Sequence, residues 1–149
     1  PHSRGRVGSY GATTLLGPKN LKEQLAWSWE HPHLGITTGA ILDKDRNIYA
    51  SSMDGIRKFS PDGTALWHWW SIGEPKFGEN NFHYVHSVPV IVDDRIYSST
   101  TSCWMVCLDL ATGKMVWGER HGEYSEMDTP YIEVRDGVAM QVFKRNDML

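Results

Sequence analysis

Two stretches of this chain are near copies of each other, and that repeat narrows its fold more than any other feature. NIYASSMDGIRKFSPDGTALWHWW spans residues 47–70, and RIYSSTTSCWMVCLDLATGKMVWGER spans residues 95–120. Aligned, Ile48-Tyr49 falls on Ile96-Tyr97, Phe59 on Leu108, Ser60 on Asp109, Gly63 on Gly113 and Trp67 on Trp117. Each Trp follows its Gly by four residues, and the turn before it is one residue shorter in the first copy, SPDG against DLATG.

Strand-like segments precede both copies, GITTGAILDKD and VHSVPVIVDD. A third, MDTPYIEVRDG, begins at Met127 and is followed by VAMQVFKRND. Polar turns (DKDRN, VDDR, VRDG) join the first two strands of each unit, and SPDG or ATG joins the last two. Turn signals every 8 to 12 residues or so mark an antiparallel all-β protein. A unit of about 40 to 50 residues holding four strands has the size of a propeller blade. LAWSWE, residues 25–30, reads as the Trp-bearing last strand of an earlier unit: Trp27 precedes Trp67 by 40 residues, and Trp67 precedes Trp117 by 50. The longer second period comes from SIGEPKFGENNF, a loop-like insertion between units.

The expected fold is therefore all-β, a partial β-propeller of about three blades of four-stranded antiparallel sheet forming an incomplete arc. Its organisation runs from an arm or loop region over 1–24, through the end of a preceding blade at 25–30 and blades at 36–70 and 84–120, to the first half of a further blade at 127–149. Such an arc presents two faces that each expect a neighbour. The chain begins at Pro1, which suggests a processed product, an excised piece or the ordered part of something longer.

The physical roles of the repeated residues can be read directly. Gly63 and Gly113 stand where a hairpin turn needs positive φ. Asp109 can accept hydrogen bonds from the N–H groups of its turn, Thr112 or Gly113 among them. Trp67 and Trp117 belong to the outermost strand of each unit. There an indole can cover the neighbouring blade and bury on the order of 200 Å². At about 25 cal/mol per Å² this amounts to several kcal/mol as an upper bound. Trp27 is expected to act in the same way.

Cys107-Leu108-Asp109-Leu110-Ala111-Thr112-Gly113, leading to Trp117, resembles the blade signature of the pyrroloquinoline-quinone (PQQ) repeat family, the quinoprotein alcohol dehydrogenase-like β-propellers. That signature runs Ala-x-Asp, two or three residues, Thr-Gly, three residues, Trp; Cys107 occupies the Ala place. Lys58-Phe59-Ser60, Asp62-Gly63 and Trp67 form a more divergent copy, and the resemblance covers roughly residues 25 to 149. It implies a propeller. In dehydrogenases of this family it also implies PQQ and Ca²⁺ at the propeller centre, adjacent cysteines and a catalytic aspartate. No segment here matches those cofactor or metal motifs, and Cys103 and Cys107 are not adjacent. No cofactor is expected in this segment; PQQ and Ca²⁺ belong only to an alternative reading, a fragment of a dehydrogenase oxidising alcohols or sugars.

Other candidate chemistry is weaker. His31 and His33 flank Pro32, and His83 and His86 fall on opposite faces of an extended strand, so they read as loop or surface histidines rather than as zinc ligands. Trp67, His68, Trp69 and Trp70 suggest a stacking platform; packing between blades is the simpler account, with Trp67 and Trp69 on one face and Trp70 on the other. Asp93-Asp94 is explained by a turn. Glu123, Glu126 and Asp128 form an acidic group that could hold Ca²⁺. On one strand Cys103 and Cys107 would lie about 13 Å apart, beyond disulfide reach.

The net charge is −3 among 149 residues, which gives no basic field for phosphates, so nucleic acid is not an expected partner. No apolar run approaches the roughly 20 residues of a membrane span, and no signal peptide is visible. Seven Trp, six Tyr and four Phe supply large flat side chains for sheet packing. The expected role is a non-catalytic propeller segment, a scaffold or protein-interaction module completed by a protein partner or by the remainder of its own chain. Gly73, Pro75, Phe77 and Asn80 mark the expected interaction loop.

Overall fold

In a computed structural model, the structure describes residues 23, 25–36, 38–71, 84–121 and 131–142. The expected interaction loop (Gly73, Pro75, Phe77, Asn80), His83, the acidic residues Glu123, Glu126 and Asp128, and the arm over 1–22 lie outside the described residues. Every regular element described is a strand. These are β1 (Ile41–Leu42), β2 (Ile48–Ser52), β3 (Gly55–Phe59), β4 (Ala65–Trp70), β5 (Val90–Val92), β6 (Arg95–Ser99), β7 (Trp104–Asp109), β8 (Met115–Arg120), β9 (Tyr131–Arg135) and β10 (Val138–Val142).

They form two four-stranded sheets, β1-β2-β3-β4 and β5-β6-β7-β8, and a two-stranded sheet of β9 and β10, with every neighbouring pair antiparallel. The two complete sheets share one register. Ile48 faces Phe59 in the first and Ile96 faces Leu108 in the second. A bulge interrupts the last ladder at Lys58/Phe59 in one and at Cys107/Leu108 in the other. A bulge raises local twist, so it helps turn the outer strand.

Side-chain alternation then decides what each face buries. On the first sheet Tyr49, Ile56 and Trp69 face the second sheet and pack with its Ile96, Val106 and Leu108 and with Val85. Ile41, Trp67, Ile91, Trp104 and Leu110 extend this layer. The third sheet repeats the stacking. Its β9 lies against β5 and β6, Ile132 is buried, and Gln141 Nε2 donates to Ser99 Oγ at 3.0 Å. The result is an all-β, propeller-like arc of sheets that, among the described residues, does not close on itself. The far side of the third sheet shows Val138 and Met140, which are 57% and 46% exposed.

Residues 25–30 belong to no ladder among the described residues, and most of the chain before them lies outside that set. One detail differs from the sequence expectation. Cys103 is not on the strand that holds Cys107. It closes the turn before β7 with φ of 63°, its N–H donating to Thr100 O at 3.1 Å. That turn is one residue longer than Met53-Asp54 in the first sheet, and this insertion moves Cys103 off the pleat. Both cysteines are buried and free.

Candidate functional site: the seams between sheets

The repeated turn and the repeated indole meet across the seams. Trp67 leaves β4 and lies on the β7–β8 turn of the second sheet, where a Cβ added to Gly113 would stand 2.6 Å from its ring. Its indole N–H donates to Leu110 O at 3.3 Å. Trp27 does the same one sheet earlier. Its ring would meet a Cβ on Gly63 at 2.6 Å, and its N–H donates to Pro61 O at 3.0 Å. Both glycines have positive φ, 88° at Gly63 and 70° at Gly113. Glycine is thus required twice over at each place, by the backbone and by the ring above it. Trp117, at the same place on β8, contacts Tyr97 with ring centroids 6.1 Å apart, as Trp67 contacts Tyr49 at 5.8 Å.

The turns that receive these rings are held by their own side chains. Asp109 Oδ1 accepts from Thr112 N at 2.8 Å and from Thr112 Oγ1 at 2.7 Å, while Gly113 N donates to Asp109 O. These bonds hold the Asp109 carboxyl below its ordinary range. In the first sheet Ser60 and Asp62 share the task. Thr64 N donates to both side chains, Ser60 Oγ also bonds Asp62 Oδ1, and Gly63 N donates to Ser60 O.

The seam between the first and second sheets opens at this end into a cleft of about 600 Å³ lined by Asp43, Lys44, Asp45, Lys58, Asp93, Asp94, Asp109, Leu110 and Ala111. Asp93-Asp94 forms the β5–β6 turn, with φ of 53° at Asp93. Asp43 takes hydrogen bonds from Asn47, Asp45 and the Tyr49 hydroxyl; burial would raise its pKa, but these donors outweigh it and lower it. Lys58 reaches across to Leu110 O at 3.1 Å. Among the described residues no three His, Cys, Asp or Glu side chains are grouped to hold a metal ion.

On the other face of the first sheet sits a buried charged cluster that the sequence reading missed. Asp54 is 2% exposed in its side chain and pairs with Arg57 Nη1 at 2.7 Å, with Arg57 Nη2 at 2.7 Å and with His31 Nε2 at 2.9 Å. Burial pushes its pKa up, but the bonds from Arg57, Ser52 and His31 win and hold it well below the usual carboxylate range. His31 is 4% exposed in its side chain. It is therefore not a surface histidine, although it does lie outside the strands. The Arg57 guanidinium lies 5.0 Å from the centroid of the Trp29 ring and 5.9 Å from that of Trp70. His68, its ring tilted against that of Trp70 with centroids 3.9 Å apart, is pushed down to about 4 by burial and by Arg57. His68 and Trp70 thus share the cluster face, while Trp67 and Trp69 share the opposite one.

No protein-family model matches the chain, and no curated protein matches it. Among solved structures it is similar to the crystal structure of BamB from Moraxella catarrhalis, with 19% identity over 58% of this chain and 24% of that one, TM-score 0.46. It is also similar to two computationally designed proteins. For Ika8 the identity is 12% over 72% of this chain and 33% of that one, TM-score 0.46. For Ika4 it is 12% over 71% and 64%, TM-score 0.45. The chain spans less than two thirds of each of these structures. No helix among the described residues is long and apolar enough to cross a membrane.

Proposed function

We propose that this chain is a non-catalytic propeller segment of the PQQ-like type that serves as a scaffold or protein-interaction module, completed by a protein partner or by more of its own polypeptide. The observation that carries the reading is the seam itself: one dock, an indole on a turn glycine, used twice in succession, by the 25–30 segment on the first sheet and by the first sheet on the second. Each dock buries apolar area and fixes one element of the arc on the next, which is building work rather than chemistry. The third sheet carries the series forward with two strands and an exposed Val138–Met140 face. Trp27, Trp67 and Trp117 are the docking residues in this reading, with Gly63, Gly113 and Asp109 shaping the turns. The loop of Gly73, Pro75, Phe77 and Asn80 is a second contact surface.

Sedimentation of the purified chain, alone and with Val138→Asp/Met140→Asp, tests this. The expected result is a species larger than the 17.0 kDa chain that the double substitution returns to that mass. A well-folded monomer indifferent to the substitutions would overturn it. So would quinone absorbance with dye-linked alcohol oxidation after adding PQQ and Ca²⁺, which is the outcome the dehydrogenase alternative requires.

A further inference from the structure

The hydrogen bonds of His31 fix where its proton sits. Its Nδ1 accepts from the backbone N–H of His33 at 3.1 Å and of Leu34 at 2.8 Å. A peptide N–H only donates, so Nδ1 presents a lone pair. The single proton of a neutral imidazole is then on Nε2, which donates to Asp54 Oδ2. Arg57 Nη2 stands 3.1 Å from the same Nε2; being a donor too, it serves Asp54 instead.

A second proton on His31 can go only to Nδ1. There it would point at two N–H donors, and the turn over 31–34 would lose both of its bonds. His68, on β4, offers a second place for a proton. Its Nε2 lies 3.7 Å from Asp54 Oδ1 and is buried without a hydrogen-bond partner. Among the described residues, the charged groups facing these two rings are Asp54 from the β2–β3 turn and Arg57 from β3. One carboxylate already neutralises one guanidinium, so each added proton leaves an uncompensated positive charge in a buried site. Burial holding His68 down to about 4 is consistent with that cost.

We propose that the cluster forms a proton-operated latch: with His68 neutral, His31 on Asp54 holds the segment over 25–34 on the first sheet, and protonation of His68 releases it. The segment carries Trp27 and Trp29, which pack on Phe59 at 5.8 and 5.3 Å between ring centroids, so release uncovers that sheet face and the Gly63 turn. The sign follows from the His68 shift. Its folded value of about 4 lies below the ordinary 6.5 of a free histidine, so the opened state takes the proton first. Holding is complete above about pH 6.5 and weakens as pH falls toward 4.

The test is amide exchange on the whole chain from pH 7.5 to 4.5, read as protection factors and referenced to the β7–β8 ladder. The expected result is that protection at His33 and Leu34 falls with pH, by up to about tenfold per pH unit as His68 takes up its proton, while the reference holds. His68→Leu, which cannot be protonated, should abolish that slope. His31→Asn, which keeps an acceptor for the turn, should leave a slope in place. Should the Asn variant not fold, long-range ¹⁵N spectra of the native chain decide the His31 part, with Nδ1 bare at pH 7 as the expected state. Protection independent of pH, a slope unchanged in His68→Leu, or a protonated Nδ1 at pH 7 would overturn the latch.

Discussion

The first and second sheets are built to one register and filled with different chemistry. Position for position, Ile48 and Phe59 correspond to Ile96 and Leu108, and Tyr49 and Trp67 to Tyr97 and Trp117. Toward the preceding neighbour, however, the first sheet buries Arg57 opposite His68, where the second has Val106 opposite Gly118. At the inner turn the carbonyl that receives the outer strand's N–H belongs to Asp54 in one and to Cys103 in the other. The contrast separates two jobs. Strand register, the bulge and the indole-on-glycine dock set the geometry of a sheet and its neighbour. The chemistry sealed between sheets is free to vary, provided that every buried charge finds a partner.

The largest effect should come from breaking the charged seam and leaving the apolar one alone. Asp54→Ala strands Arg57 in a buried site and is expected to cost about 3–5 kcal/mol. At the corresponding turn, Cys103→Ala removes one small side chain and should cost about 1 kcal/mol. Chemical denaturation of the two variants measures both, and equal losses would break the comparison. Next comes the dock. Gly113→Ala places a methyl 2.6 Å from the Trp67 ring at a φ of 70° and should cost about 2–4 kcal/mol. The smallest effect is expected at Gly118, whose added Cβ would find nothing nearer than Met115 Sδ at 3.4 Å. Gly118→Ala should lie between neutral and about 1 kcal/mol stabilising in the same assay.

The dock was readable because its parts lie close in sequence: a turn glycine, then an indole four residues on, twice. Asp109 and its turn were readable for the same reason. The charged cluster was not, because His31, Asp54, Arg57 and His68 come from a loop, a turn and two strands, and none of them repeats in the second copy. A signal did exist in the alignment. Arg57 falls on Val106, and a charge at a place where the sister sheet buries an aliphatic needs a partner close by. Cys103 was misplaced because a three-residue turn, 101–103, replaces Met53-Asp54, and turn length is not visible in strand alternation.

A double-mutant cycle between Trp67 and Gly113 tests the central claim most directly. If the indole rests on the glycine, Gly113→Ala should cost about 2–4 kcal/mol with Trp67 present and only the backbone term of about 1–2 kcal/mol in Trp67→Ala, a coupling of about 1 kcal/mol or more. Additive losses, with Gly113→Ala equally costly whether or not the indole is there, would mean that the ring does not seal the seam.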